Sequence, residues 1–180
     1  MNDKIIINTE GTQTIFRPYE LVEEESSILK ERCVEFDFSG NEDPKQISKS
    51  LKETAKLHRS FGLSAPQCGL SYRVFVIGAD DSYISIFNPE IISTSDEVVH
   101  MEEGCMSFPF LFLNITRPKE ITVKYQDENG QPFTKTFSGI TARIFLHEFD
   151  HLDGITFNTK AKPMALKSGT KRREKSIKKF

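Results

Sequence analysis

Apolar residues recur along this chain with two different periods. Over residues 44–60 they fall at Ile47, Leu51, Ala55 and Leu57, close to the spacing of one helical face, so a helix is expected there. The acidic stretch 21–36 is also expected to be helical, with Ser39-Gly40-Asn41 as the break after it. Residues 72–77 and 83–87 read as strands, and residues 120–125 and 133–137 as an antiparallel pair around Asp127-Glu128-Asn129-Gly130. A further helix should begin near Gly139 or Thr141 and end near Gly154. There are no internal repeats and no low-complexity linker. The expected architecture is an α+β domain, with antiparallel or mixed sheets around a central helix.

That helix carries His147-Glu148-Phe149-Asp150-His151. Residues four apart on a helix share a face, so the two histidines can hold one metal ion. Glu148 lies beside them, placed to take a proton from water, and the HExxH pattern reads as metal-assisted hydrolysis. The plain alternative is an exposed helix face with two histidines and an acid. Catalytic metals usually keep three protein ligands and one open position. Downstream of His151 there is no further His, and the only Glu is Glu174, in a basic segment. Asp153 is too close along the helix to be an easy ligand, so the third ligand is expected upstream. Cys105, in Glu103-Gly104-Cys105-Met106-Ser107, is the candidate; as a thiolate it would complete a Cys-His-His set. A lone cysteine is otherwise most often a small buried hydrophobe. Upstream again, Gly62-Leu63-Ser64-Ala65-Pro66-Gln67 ends in one uncharged polar side chain. Held by such a loop, the Gln67 amide could donate to a developing oxyanion; the alternative is an ordinary solvated loop.

Taken together and in order, GLSAPQ, EGCMS and HEFDH resemble the motifs of the peptide deformylase family, over roughly residues 45 to 160. The resemblance implies a metal-dependent hydrolase that removes the formyl group from N-formylmethionyl nascent peptides and releases formate. It implies Cys105, His147 and His151 as metal ligands and Glu148 as general acid/base. Gln67 and the backbone N–H of Met106 are implied as oxyanion donors. Glu103 and Arg117 would form an ion pair that fixes the cysteine loop, and Gly62 would contact the substrate backbone. Phe61 and Ile144 are the candidates for the methionine pocket, although both could equally be core residues. One divalent ion per chain is implied, ferrous iron first, with zinc, nickel or cobalt able to take its place. Two residues depart from the family's usual loop: Ser60 stands in place of a Gly and Ser64 in place of an Ala. The amino-terminal Ile15-Phe16-Arg17-Pro18 does not match the family's usual opening, and no role is carried onto it.

Composition agrees with a compact enzyme. The chain has 180 residues, long enough for a real core. It has no apolar run long enough to cross a membrane, and its start resembles neither a signal peptide nor a transit peptide. Three cysteines, Cys33, Cys68 and Cys105, give no even disulfide framework, so a reducing, cytoplasmic setting is expected. Charge is unevenly spread. Residues 166–180 hold seven basic residues and one acid, while the whole chain carries −2. The catalytic domain is therefore expected to occupy residues 1–165, with 166–180 as a basic tail. Ribosome or RNA contact through that tail is one expectation and a solvated terminus the other.

Overall fold

Helix α1 (Pro44–Leu57) begins where Asp43 accepts a hydrogen bond from the Lys45 amide and Pro44 takes the first turn, which needs no backbone donor. It buries Ile47, Leu51 and Ala55. It stops before Ser60 because Arg59 turns left-handed (φ 53°) and the Ser60 amide bonds back to the Ala55 carbonyl. Leu57, expected on the apolar face, is exposed. The computed structural model describes residues 4–7 and 13–179.

The remaining elements are β1 (Lys4–Ile7), β2 (Gln13–Phe16), β3 (Gly62–Ser64), β4 (Val74–Ala79), β5 (Ser82–Thr94), β6 (Val98–Cys105), β7 (Phe108–Pro118), β8 (Glu120–Gln126) and β9 (Pro132–Ser138), with helices α2 (Gly139–Leu152) and α3 (Pro163–Ile177). Strands β1 and β2 pair with each other, as do β6 and β7. The main sheet has the order β3-β4-β5-β8-β9. All of these pairs are antiparallel. The β8–β9 hairpin turns where expected, with Asp127 Oδ1 accepting from the Asn129 and Gln131 amides at 2.8 and 2.9 Å.

Alternation along β4 assigns its two faces. Phe75 and Ile77 join Ile86, Ile121, Val123 and Tyr125 in one cluster with Ala142, Phe145, Leu146 and Leu152 of α2. Val74 and Val76 point the other way, into a cluster with Ile47, Leu51 and Ala55 of α1. The sheet thus lies between the two helices. A third cluster joins Phe108, Leu111, Leu113 and Ile115 of β7 to Phe157 and Leu166. Helix α3 is seated on β7 at Gly169, where an added Cβ would stand 2.4 Å from Leu113 Cδ2.

The acidic stretch 21–36 is not the expected α-helix; it holds only a 3-10 turn, Ser27–Lys30. Its backbone donors are satisfied by other parts of the chain. Val22 N–H bonds to Gln67 O, Cys33 N–H to Leu152 O, and Val34 N–H to Ser71 O. Leu29 is buried from that turn, and Cys33 and Phe36 from the segment after it. Tertiary pairing has overridden helix propensity. The strand expected at 83–87 extends to Thr94, past a register shift at Asn88 (φ 48°) and Pro89. Five of the seven basic residues from 166 onward, Lys167, Lys171, Arg172, Arg173 and Lys175, lie within α3, which begins at Pro163 and packs on β7, and Lys178 and Lys179 follow its end. Among the described residues, no helix is long and apolar enough to cross a membrane.

Candidate metal and active site

Helix α2 is apolar toward the sheet through Ala142, Phe145 and Leu152, yet His147, Glu148 and His151 on it are buried too. Burying such groups is costly unless each has a partner or a ligand. Gly154 (φ 69°) closes the helix end against Lys30, whose carbonyl oxygen would be 2.6 Å from a Cβ at that position.

Cys105 arrives from a different element, the end of β6, just before the turn Met106-Ser107 that leads into β7. Cys105 Sγ lies 3.3 Å from His151 Nε2. One ligand atom from each of Cys105, His147 and His151 falls within 4.8 Å of the others, close enough to share one ion. Sulfur with two imidazole nitrogens suits a borderline-soft divalent metal. Burial lowers the His147 pKa, but hydrogen bonds to Cys105 and Glu103 outweigh it and raise the value to about 10. His151 is pushed the other way, well below its ordinary value, by burial and then by the charges of His147 and Arg117. These residues fit a metal.

The expected ion pair is part of a larger buried network. Arg117 grips Glu103 with Nε to Oε1 at 2.7 Å and Nη2 to Oε2 at 3.0 Å. Glu103 Oε2 also meets His147 Nδ1 at 3.1 Å, which directs His147 Nε2 toward the site. Burial alone would raise the Glu103 pKa; the hydrogen bonds from His147 and Arg117 reverse that and lower it to about 2. The sequence reading missed three members. Arg143 donates to Glu103 Oε1 at 2.5 Å and to the carbonyls of Ile115 and Val99. Asp150 accepts from Arg117 at 2.7 Å and is itself capped by Lys160 at 2.7 Å. Arg143 lies four residues before His147, on the same helical face, and Asp150 lies inside HEFDH; those positions were the available signals.

On the opposite side of the site, β3 leads into the 3-10 turn Ala65–Cys68. Gln67 is buried, and its Oε1 accepts from Ser64 N at 2.9 Å and Ser64 Oγ at 2.8 Å. Its Nε2 therefore faces Ser107 Oγ at 3.1 Å and Cys105 Sγ at 3.5 Å. Ser64 is fully buried behind Gln67. Glu148 is buried, and burial pushes its pKa up to about 7 against the lowering charge of His147. Its Oε2 has no hydrogen-bond partner. Gly62 lies against this carboxyl: a Cβ there would be 2.5 Å from Glu148 Oε1 and 2.8 Å from Ile144 Cγ2. Phe61 is not core; it is 62% exposed next to Gly62. Ile144 is partly buried and packs on the α2 cluster. Met106 is partly exposed in its turn.

The arrangement can hold an ion, shuttle a proton through Glu148 and donate a hydrogen bond from Gln67 across the same small volume. The family model for polypeptide deformylase matches residues 18–167. The peptide deformylase of Thermotoga neapolitana is 40% identical over 119 residues, covering 66% of this chain and 73% of its own. That of a Synechocystis species is 35% identical over 134 residues, covering 71% and 72%. The crystal structure of the Thermotoga maritima peptide deformylase superposes with a TM-score of 0.78 at 34% identity, covering 82% of this chain and 99% of that one.

Proposed function

This chain belongs to the polypeptide deformylase family, and from that premise we propose that Cys105, His147 and His151 hold its metal, that Glu148 is its general acid/base, and that Gln67 and the Met106 backbone N–H receive the developing oxyanion. The activity is that of a peptide deformylase, acting on formylated nascent peptides. Its overall reaction adds water across the formyl C–N bond of an N-formylmethionyl peptide and yields formate and a free amine.

A divalent ion held by the sulfur and the two imidazoles supplies Lewis-acid chemistry: it acidifies water and polarises a carbonyl. The chain's own groups do the rest. Glu148 takes a proton from the attacking water on its unpaired Oε2 and later delivers it to the leaving nitrogen. A carboxyl near pH 7 suits both tasks, since it is neither too weak a base nor too weak an acid. As the formyl carbon becomes tetrahedral, negative charge gathers on its oxygen. The Gln67 amide, already aimed across the site, donates to that charge, a contribution of about 3 kcal/mol in comparable oxyanion holes. Glu103 keeps His147 in the tautomer that offers Nε2. HEFDH is accordingly read as the catalytic motif, and α2 as the central helix of the fold.

Several finer points belong to the same reading. The resident ion is proposed to be ferrous iron, with zinc, nickel or cobalt able to occupy the same set. Phe61 and Ile144 are proposed to flank the methionine side chain; an exposed aromatic ring beside Gly62 supports this. Lys167, Lys171, Lys175 and Lys178 recur at helical spacing and are exposed, so the outer face of α3 is proposed to meet ribosomal RNA. A cytoplasmic, reducing setting would keep the Cys105 thiol available, and Cys33, Cys68 and Cys105 are all free. Residues 1–165 are proposed as the catalytic unit, with 166–180 as its basic extension.

The observation that carries the reading is the convergence of three ligand atoms from two elements, with Glu148 and Gln67 beside them. Metal analysis of protein purified without oxygen tests it. One ion per chain is expected in the wild type and in Glu148→Ala, with loss in Cys105→Ala, His147→Ala and His151→Ala. Retention of a full equivalent by all three ligand variants would refute the assignment.

A further inference from the structure

Gln67 can act as an oxyanion donor only if its amide is turned the right way round. An amide side chain has nearly equal shape in its two flipped orientations, and only one presents N–H to the site. In the flipped one the carbonyl oxygen would face the developing negative charge and repel it. The orientation is therefore a catalytic requirement, and something must hold it.

Four contacts bear on it. Ser64 N–H donates to Gln67 Oε1 at 2.9 Å. Ser64 Oγ donates to the same oxygen at 2.8 Å. On the far side, Gln67 Nε2 donates to Ser107 Oγ at 3.1 Å and faces Cys105 Sγ at 3.5 Å. The backbone donor is unambiguous, since an N–H cannot accept. It fixes which end of the amide is oxygen, and the hydroxyl then adds a second donor to that oxygen. Ser64 is fully buried, so water does not compete for the bond. Ser107 is less discriminating, because a hydroxyl can donate or accept and would tolerate either flip. The chain thus carries a two-point clamp on the oxygen, one point supplied by the Ser64 side chain.

We propose that Ser64 is a positioning residue for deformylation, its hydroxyl holding the Gln67 amide with N–H toward the reacting oxygen. The proposal rests on the reading of Gln67 as the oxyanion donor. Ser64 does not touch the reacting atoms; it acts through Gln67. The same hydroxyl also acts on the Glu148 carboxyl, lowering its pKa, so a second route to an effect exists and the test must separate the two.

Loss of one of two bonds to Oε1 should lower kcat about three- to tenfold, the worth of one net hydrogen bond, with KM changed less than about twofold. Complete loss of the donor in Gln67→Ala should cost about 10²-fold or more. The experiment is a double-mutant cycle on the metal-replete enzyme with a formyl-Met tripeptide: wild type, Ser64→Ala, Gln67→Ala and the double variant. The expected result is that Ser64→Ala lowers kcat in the wild type and has no further effect once Gln67 is gone. The same loss in both backgrounds would overturn the proposal and point to packing or to Glu148 instead. An unchanged kcat in Ser64→Ala, alongside a large loss in Gln67→Ala, would overturn it while leaving Gln67's role intact. Wild-type activity in Gln67→Ala would refute the reading beneath it. A readout independent of turnover is the Gln67 side-chain NH2 pair in the NMR spectrum of the zinc-loaded protein, assigned by its absence in Gln67→Ala. It should shift toward the random-coil position in Ser64→Ala; an unmoved pair would overturn the proposal.

Discussion

Replacing Gly62 with alanine puts a methyl group where the Glu148 carboxyl already is. The new Cβ would stand 2.5 Å from Oε1, 2.8 Å from Cγ of Glu148 and 2.8 Å from Ile144 Cγ2. Ordinary van der Waals contact begins at 3.4 Å, so Oε1 must give way by about 0.9 Å if the backbone holds. The backbone is not free to move far. Gly62 in β3 is paired with Ile77 of β4, and the next residue, Leu63, is wholly buried. The acid must therefore yield, and displacement of a reacting group by about 1 Å typically costs on the order of 10² in rate. Overpacking adds a stability loss of about 1–3 kcal/mol, which leaves a folded protein at assay temperature. Glu148 is not a ligand, so metal content should stay at one per chain. The assay is kcat and KM for a formyl-Met tripeptide on metal-replete protein, with the thermal midpoint as the folding control. A fall in kcat of about 10²-fold with metal retained is expected. A kcat within about threefold of wild type, or a change in KM alone, would refute the idea that Gly62 exists to let Glu148 stand where it does.

Three more outcomes follow from the buried network and the metal set. The Glu103 pKa is lowered to about 2 from 4.5, so its stabilisation is fully present above pH 4.5 and is lost as pH falls from there through 2; on the order of 3 kcal/mol is involved. In urea titrations Glu103→Gln should be less stable than wild type near pH 6, with the gap closing as pH falls through that window, and a gap that stays constant would contradict this. Arg143→Ala removes the clamp between α2 and the β6–β7 hairpin and leaves Glu103 with less support, so metal affinity measured by chelator competition should fall about 10- to 100-fold; unchanged affinity would show that Arg143 serves packing alone. Chelation should lower the thermal midpoint of the wild type in a manner reversed by added zinc, whereas Cys105→Ser should show little response to either treatment.

The site was more legible than the fold around it. HEFDH announces itself because a helix repeats near every four residues, so ligand spacing survives in the sequence. Cys105 and Gln67 lie far from it along the chain, and in the sequence only the resemblance joins the three segments. Arg143 and Asp150 stayed hidden because an arginine or aspartate on a helix reads as surface until its partners are known. The helix expected over residues 21–36 failed for a tertiary reason: donors such as those of Val22 and Cys33 are claimed by Gln67 and Leu152, which no local pattern can reveal. The β6–β7 hairpin escaped notice because Phe110 and Phe112 on the outer face of β7 are as apolar as Leu111 and Leu113 on the inner one, erasing the alternation that marks a strand. In β6 the buried residue is Glu103, the reverse of what a hydrophobic pattern would mark.

The central claim is that Glu148 drives formyl hydrolysis beside a Cys105–His147–His151 metal set. Formate release from a formyl-Met tripeptide tests it most directly, with anaerobically prepared, iron-loaded wild type set against its Glu148→Ala variant at equal metal content. Release by the wild type and a loss of at least about 10²-fold in the variant is the predicted result. Equal release by both, or none by a wild type carrying one metal per chain, would contradict the account.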